Sequence, residues 1–179
     1  MVRLKTFFRD FIYIFLNYFI AYIPVWHIRK PLYRLFGMKI KKGSRINMRC
    51  IIMSPWNIEI GQNTMVNEYS ILDGRGGLTI ADSCSVSMRS IIYTGSHKTF
   101  TSSFEYFSKP VYIGNCCWLG AQSVILPGSY LEDRTIISAN SVYKGHSEIN
   151  GIYGGNPAQY LRKRTVEHNY SQENIAFFR

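Results

Sequence analysis

Acidic residues are almost absent from the first third of this chain. Residues 1–58 hold eleven Lys or Arg side chains and a single acid, Asp10, whereas the remaining residues hold ten of each sign. The formal net charge of +10 therefore arises in the N-terminal third. A charge this local argues against a nucleic-acid partner and favours contact with an anionic surface such as a membrane.

The chain also lacks an apolar run of the length that spans a bilayer. Its most apolar stretch, residues 11–26, covers 16 positions, where about 20 are needed. It has no small-residue cleavage site, which argues against a signal peptide. We interpret residues 1–37 as a basic, apolar helical segment in which Pro24 ends the first helix and residues 27–36 form the second. The alternatives are docking on a membrane surface, packing as a cap on its own trimer, and a true span.

Cysteine is scarce, and its spacing carries no signature of metal binding or of a disulfide. There are four cysteines and no Cys-x-x-Cys motif. Cys50, Cys84 and Cys117 occupy the small position of a repeat described next, so we expect them to be packed inside, with Cys116 exposed. No metal site is predicted, and a reduced, cytoplasmic setting fits this usage.

What the chain does contain is a strict repeat of six residues. From Ile113 to Tyr143 a large apolar residue stands at every sixth position, and a small residue follows four positions after each of the first five. This period is neither the 3.6 of a helix nor the 2 of an ordinary strand. It is typical of a parallel β-helix, in which three hexads form one triangular coil. We therefore predict an all-β fold with a β-helix of about six coils over residues 38–145.

The repeat extends upstream to Ile40 with three interruptions. Two shifts of two residues, at 58–60 and 78–80, are read as bulges at a corner. Between Ile92 and Ile113 the gap is 21 residues, which predicts a loop over residues 93–110 ejected from the coil. That loop contains one histidine, His97, as a candidate catalytic base. Residues 146–179 are expected to form a C-terminal cap and tail.

Three stretches of the sequence resemble the hexapeptide-repeat O-acetyltransferases. They are YTGSH at 93–97, KPVYIGNCCWLGAQSVILPG at 109–128 and GGNPA at 154–158. That family includes the galactoside, maltose and colanic-acid-type exopolysaccharide acetyltransferases, and the N-terminal segment resembles the polysaccharide branch. The resemblance, over residues 11–164, implies a left-handed parallel β-helix with an N-terminal helical segment and a short C-terminal helix. It also implies a homotrimer that moves acetyl from acetyl-CoA to a saccharide hydroxyl.

The resemblance also implies roles for particular residues. His97 would be the general base, and Asn67 and Asp73 would contact the acceptor. Coenzyme A would lie in the groove between two prisms, along Trp118, Gly120, Ala121, Ala139, Lys144 and Arg162. For three of these residues a structural alternative stands beside the functional one. Asn67 could stack on asparagines of neighbouring coils, Asp73 could belong to a turn, and Arg162 could belong to a charged helix face.

Three functions are compatible with these patterns. The leading one is O-acetylation of a surface-polysaccharide precursor, in the cytoplasm and at the inner face of the cell membrane. The second is N-acylation of an amino sugar nucleotide, although nothing in the sequence marks a nucleotide pocket. The third is a non-catalytic β-helical scaffold. A β-helical carbonic anhydrase is disfavoured because its zinc needs three converging imidazoles and the coils offer only His97.

Overall fold

The computed structural model of the protein describes residues 2–165. The chain begins with helix α1 (Val2–Tyr18), a 3-10 turn (Ile20–Tyr22) and helix α2 (Trp26–Leu35). The predicted pair of helices is confirmed, but α1 ends well before Pro24, which lies in the connection between them. Within residues 2–165 no helix combines the length and the hydropathy that crossing a membrane requires.

The remaining chain winds into a triangular prism with three parallel sheets, so the predicted β-helix is confirmed. Face A contains β1 (Lys39–Ile40), β4 (Ile58–Ile60), β7 (Leu78–Ile80), β12 (Val111–Ile113) and β15 (Tyr130–Leu131). Face B contains β2 (Arg45–Ile46), β5 (Met65–Val66), β8 (Ser85–Val86), β13 (Trp118–Leu119), β16 (Ile136–Ile137), β18 (Gly151–Gly155) and β19 (Ala158–Lys163). Face C contains β3 (Ile51–Met53), β6 (Ile71–Asp73), β9 (Ile91–Ile92), β14 (Val124–Ile125) and β17 (Val142–Tyr143).

The hexad residues build the core. Each large residue of the repeat, from Ile40 to Tyr143, points inward and is at most 3% exposed. The small residues that follow are buried as well, including Cys50, Cys84 and Cys117. Each inward side chain stacks on its counterparts in the coils above and below. The core is therefore a continuous apolar column along the prism axis, as a solenoid requires.

Every irregularity of the repeat lies at one corner, between faces C and A, which we call corner C–A. There the register runs from Ile40 to Ile60 and on to Ile80 in steps of 20 residues, then from Ile80 to Ile113 in one step of 33. From Ile113 to Leu131 the step is 18, the length of three hexads. In the first two coils the extra residues lengthen the strands that meet at this corner, so the predicted bulges are wrong in detail.

The N-terminal segment caps the first coil with one polar side chain for each face. Asn17 of α1 accepts from the backbone N–H of Ile52 at 2.7 Å and donates to its carbonyl at 2.9 Å, as a neighbouring strand would. From α2, Arg29 donates to the carbonyl of Ile46 at 2.8 Å and Arg34 to that of Ile40. These bonds satisfy the exposed edge of each sheet, so part of the N-terminal basicity has a structural role.

The C-terminal end differs from expectation. The predicted short helix is wrong for the residues described to 165, because Ala158–Lys163 form strand β19, antiparallel to β18. Gly155 has a φ of +105°, which turns the chain sharply back before Pro157. The returning strand pairs with the free edge of β18 and closes face B. The remainder of the predicted tail, residues 166–179, lies outside the described residues.

Candidate active site

The predicted ejected loop leaves the prism at corner C–A as a β-hairpin. Its strands β10 (Gly95–His97) and β11 (Tyr106–Ser108) pair antiparallel, with His97 opposite Tyr106. The backbone N–H of Lys98 donates to the carbonyl of Glu105 at 2.8 Å, and the two side chains form an ion pair at 2.7 Å. The hairpin therefore holds its histidine on a hydrogen-bonded strand and not on a free loop.

The imidazole of His97 is exposed and oriented by three contacts. Its Nδ1 lies 2.9 Å from the carbonyl oxygen of Phe104, and its ring stacks on the Phe104 ring at 4.4 Å with 5° between the planes. Tyr106 meets it edge-on at 5.7 Å. Because a carbonyl oxygen can only accept, Nδ1 carries the proton in the neutral ring. The lone pair then lies on Nε2, the nitrogen available to take a proton from a substrate.

Asp73 and Arg75 hold the feet of this hairpin. The Asp73 carboxylate is fully buried at the end of β6, where it accepts the backbone N–H groups of Thr94 at 2.9 Å and Gly95 at 3.2 Å. It also forms a bidentate pair with Arg75, both distances being 2.9 Å. The Arg75 guanidinium lies 5.6 Å from the centre of the Tyr106 ring. One ion pair, with a buried carboxylate and a half-exposed guanidinium, therefore contacts both strands of the hairpin.

These contacts also decide the charge on Asp73. Burial alone would raise the pKa of its carboxyl group, but hydrogen bonds from Arg75 and from the Thr94 backbone outweigh burial and lower it. The same pair raises the pKa of Arg75, chiefly through the hydrogen bond between the two side chains. In the structure the Asp73 oxygens bond to the hairpin and to Arg75, and the predicted contact with the acceptor stays a prediction.

Asn67 lies at the opposite edge of face C, at the corner between faces B and C, which we call corner B–C. Its side-chain amide donates to the carbonyl of Val86 at 3.0 Å and accepts from the amide of Asn47 at 3.2 Å. Both amide groups thus take part in a ladder between neighbouring coils, which is the alternative that the sequence left open. The side chain remains partly exposed, so an additional role toward an acceptor stays a prediction.

Most of the predicted coenzyme-binding residues lie next to corner B–C. The indole of Trp118 is 46% exposed on face B and donates to the Ser87 hydroxyl at 2.9 Å. Gly120 packs directly on the following coil, where an added Cβ would lie 2.5 Å from the backbone nitrogen of Ala139. Ala121 accepts from the Asn140 backbone at 3.0 Å. Beside the exposed aromatic ring, Gly120 is buried, Ala121 is partly exposed and Ala139 is exposed.

The last two predicted coenzyme contacts, Lys144 and Arg162, lie on different surfaces of the prism. Strand register places Arg162 in line with Trp118 on face B, through Ile136 and Ile152, and the Arg162 side chain is exposed. Lys144 is exposed too, but it follows β17 and therefore lies at corner C–A. Arg162 thus shares a surface with Trp118, whereas Lys144 is separated from them by face C.

The predicted site residues therefore form two groups within one chain. His97 and Asp73 belong to corner C–A, whereas Asn67, Gly120 and Ala139 belong to corner B–C. Face C lies between them. The predicted base and most of the predicted coenzyme contacts therefore lie on different corners of one prism.

Sequence reasoning missed a cleft at corner C–A. A cavity of about 600 Å³ lies between α1, the first coil and the hairpin. Tyr106, which touches His97, forms part of its wall, and Arg75 lines it as well. The other lining residues are Arg9, Asp10, Ile12, Tyr13, Ile52, Met53, Ser54, Pro55, Trp56 and Asn57. No sequence signal connects α1 with residue 106, because only the fold brings them together.

Sequence reasoning also missed the outer surface of face C. The outward residue of each strand there is β-branched and half-buried, and register aligns them in one column: Ile51, Ile71, Ile91, Val124 and Val142. The corresponding column on face A is Lys39, Glu59, Thr79, Tyr112 and Tyr130. The signal was present, since an Ile or Val precedes every third large residue of the repeat. An apolar sheet face of this kind marks an interaction surface.

Among residues 2–165, no three side chains of His, Cys, Asp or Glu cluster in a way that could hold a metal ion. His146 is the one other histidine of the late coils, and its Nε2 lies 2.8 Å from Glu132 on the polar side of the prism.

Known proteins similar to this chain are acetyltransferases. No protein-family model matches the chain. The putative colanic acid biosynthesis acetyltransferase WcaF of Escherichia coli is 33% identical over 136 residues, which cover 76% of this chain and 75% of that protein. A putative acetyltransferase of Staphylococcus aureus is 31% identical over 111 residues, 60% of this chain and 56% of that one.

Solved structures agree on the fold. A hexapeptide-repeat acetyltransferase of Vibrio cholerae, solved with acetyl coenzyme A, has a TM-score of 0.76 and 27% identity, and covers 83% of this chain and 82% of its own. A maltose O-acetyltransferase of Clostridium difficile has a TM-score of 0.79 and 23% identity, with 89% of this chain and 87% of that one covered. The hexad core, the histidine hairpin and the WcaF relationship together establish that this chain belongs to the hexapeptide-repeat acetyltransferases.

Proposed function

We propose that the protein transfers an acetyl group from acetyl-CoA to a hydroxyl of a saccharide, with His97 as the general base. The acceptor is a precursor of a surface polysaccharide, assembled at the inner face of the cell membrane. The observation that carries this proposal is the orientation of His97. Its Nδ1 is committed to the Phe104 carbonyl, and its Nε2 is free to accept a proton. The relationship to a colanic acid biosynthesis acetyltransferase supports the class of acceptor.

The reaction needs one proton transfer and no covalent enzyme intermediate. The acceptor oxygen attacks the thioester carbonyl while Nε2 of His97 takes its proton. The tetrahedral intermediate then collapses, the carbon–sulfur bond breaks, and the coenzyme leaves as a thiol once the proton is returned. A base placed in this way contributes about 10²- to 10⁴-fold to the rate.

The surface beside corner B–C fits an extended coenzyme. Trp118 offers an exposed ring, and Ala139 is exposed beside the close-packed Gly120. Arg162 lies in the same column two strands beyond Ile136, where its guanidinium would meet phosphate. We propose that these residues bind acetyl-CoA and that Ala121 lines the same groove. Lys144 would contribute only through another copy of the chain.

Two observations support a homotrimer with shared sites. His97 and the proposed coenzyme contacts at corner B–C lie on different corners of the prism, so the proposed site would need a second chain to bring them together. The apolar column on face C, between those corners, provides a surface that a second copy would cover. A closed threefold ring gives every chain both roles. In that arrangement His97 of one chain faces Trp118 and Asn67 of its neighbour.

The decisive experiment measures thiol release from acetyl-CoA with sugars, oligosaccharides and amino sugar nucleotides as acceptors. We expect release that depends on a hydroxyl acceptor and falls about a hundredfold or more in His97→Ala. His146→Ala is the matched control, since that imidazole is also exposed and hydrogen-bonded but lies on face A. The control variant should retain the activity of the unaltered protein.

The other outcomes select the alternatives. Release only with amino sugar nucleotides would establish N-acylation. The absence of both acetyl-CoA binding and thiol release with every acceptor would leave a scaffold. An equal loss in both histidine variants would show that the hairpin does not carry the base.

A further inference from the structure

Helix α1 has two apolar faces, and the protein itself covers only one of them. Ile12 and Leu16 pack on the prism, and Leu16 is completely buried. On the other side Phe7, Phe11, Ile14 and Tyr18 are 64%, 53%, 51% and 64% exposed. Their spacing of four, three and four residues places all of them along one line of the helix. We call this line the outer stripe of α1.

The exposed apolar surface continues past the helix. Phe8 lies beside the outer stripe and is 56% exposed, and Phe19 and Tyr22 after α1 are 61% and 50% exposed. A soluble surface rarely carries so many large apolar side chains next to each other. The patch therefore has a partner.

The charge of the surrounding chain selects the partner. The first 58 residues carry eleven basic side chains and one acid. Arg29 is buried, but Arg34 and Lys42 are exposed, and the carbonyl of Ile40 that Arg34 contacts is neutral and leaves its charge in place. A second copy of this end would bring like charges together. An anionic lipid surface would neutralise them and bury the aromatic rings at the depth that Phe and Tyr favour.

The geometry of α1 excludes insertion across the bilayer and fits a helix that lies flat. At 17 residues and about 1.5 Å per residue it is roughly 25 Å long, and its other face is fastened to the first coil through Asn17. A helix held in this way presents one side only, as an interfacial helix does.

From these observations we infer that the outer stripe docks the protein on an anionic membrane surface. The inference extends the proposed function, on which its meaning for the acceptor rests. Arg9, Ile12 and Tyr13 line the cleft beside the catalytic hairpin, on the side of α1 away from the stripe. Docking therefore places that cleft about one helix diameter, roughly 10 Å, from the lipid surface. A saccharide tethered to a lipid would reach the cleft, and the sugar next to its anchor would lie closest to His97.

Vesicle flotation of the full chain tests the inference. We expect binding to phosphatidylcholine vesicles that contain about 30% phosphatidylglycerol, much weaker binding to phosphatidylcholine alone, and loss of binding at high salt. Ile14→Ser should weaken binding about tenfold, and Phe7→Ser with Phe11→Ser about a hundredfold, because each change removes apolar area from the docked face.

A matched control is available at the other end of the prism. Ile149 is 45% exposed, close to the 51% of Ile14, and follows the last strand of face C. Ile149→Ser should bind vesicles as the unaltered protein does. Helix content and hydrodynamic radius are recorded for every variant, so that a folding defect is distinguished from a lost contact.

Several results would overturn the inference. One is that the unaltered protein does not bind anionic vesicles. Another is that Ile149→Ser weakens vesicle binding as much as Ile14→Ser does. A third is a change of oligomeric state in the stripe variants, which would assign the stripe to a second copy. Transfer to a soluble sugar is measured separately. Transfer without vesicle binding would refute docking and leave the proposed function standing, whereas vesicle binding without transfer would do the reverse.

Discussion

Corner B–C and corner C–A belong to the same prism, but they meet different demands. At corner B–C every connection between strands has four residues, from 47–50 in the first coil to 138–141 in the fifth. At corner C–A one connection, 93–110, has 18. Register is nevertheless continuous across it, since Ile80 pairs directly with Ile113 and Ile92 with Ile125. The comparison shows that a solenoid tolerates a long excursion at one corner, because each coil is held by its neighbours and not by its own connections.

The two corners also differ in what packs there. Corner B–C is close-packed backbone with small residues, which suits a rigid surface for a coenzyme. Corner C–A carries a hairpin fastened by the buried Asp73 carboxylate and its partner Arg75, which suits a group that must be oriented. If both corners serve one reaction, they must come from two chains. A variant at either corner should then remove the contribution of that corner and leave the other corner intact.

The largest effect expected from this division is a restoration of activity. His97→Ala damages corner C–A and Trp118→Ala damages the surface beside corner B–C, so each variant alone should be nearly inactive. Mixed trimers formed by refolding the two together contain sites that take an intact residue from each chain. About a quarter of all sites should recover for random assembly of a threefold ring. Thiol release after mixing measures this fraction.

The control for that experiment is mixing without subunit exchange, which should restore nothing. Persistent inactivity after verified exchange would show that both residues act from the same chain, and the separation of the two corners would lose its functional meaning.

A second prediction concerns the packing difference. Gly120→Ala at corner B–C should reduce the free energy of unfolding by about 3 kcal/mol, because the new Cβ meets the Ala139 backbone and neither can move away. Gly128→Ala at corner C–A is the comparison. Its Cβ would meet only the flexible Lys109 side chain, at 3.1 Å, and the cost is limited to about 1 kcal/mol for the φ of +82°. Denaturant unfolding of both variants measures the difference.

If the two glycine variants lost equal stability, the rigidity assigned to corner B–C would be refuted. Acetyl-CoA affinity adds a second readout, since it should fall in Gly120→Ala and remain unchanged in Gly128→Ala.

A third prediction, with a smaller expected loss of stability than Gly120→Ala, concerns the ion pair at corner C–A. Asp73→Asn should cost about 2 kcal/mol, since a carboxylate that accepts several hydrogen bonds is replaced by a group with one accepting oxygen. Turnover should fall about tenfold while the apparent affinity for acetyl-CoA is kept, because the hairpin positions the base and not the coenzyme. Asp133→Asn, whose carboxylate accepts from Asn115 at an uninterrupted corner, should lose stability alone.

The same variant predicts a dependence on pH. The folded protein lowers the pKa of Asp73, so the stabilisation is complete above the ordinary carboxyl value of about 4 and is lost as pH falls below it. The difference in unfolding free energy between the unaltered protein and Asp73→Asn should therefore shrink between pH 4 and pH 2. A difference that stayed constant over this range would exclude the ionised carboxylate as its source.

Much of the fold was available from the repeat alone. The period of six predicted the parallel coils, the inward column from Ile40 to Tyr143 and the ejected segment with His97, all of which the structure contains. Secondary-structure prediction from the local sequence was less successful where pairing with a distant strand decides the conformation. Residues 158–163 were expected in a helix, but they pair with the open edge of β18, because an unpaired edge strand gains hydrogen bonds from any chain that returns to it.

The site divides in the same way. The coil period, the exit point of the ejected segment and its single histidine follow from the order of residues along the chain. The folded structure was needed to show that Asp73 fastens the hairpin, that α1 walls the cleft beside Tyr106, and that the predicted base and the predicted coenzyme contacts at corner B–C lie on separate corners. Those relations join residues far apart in sequence. They depend on distances between side chains, and these distances exist only after the coils and the N-terminal cap have packed together.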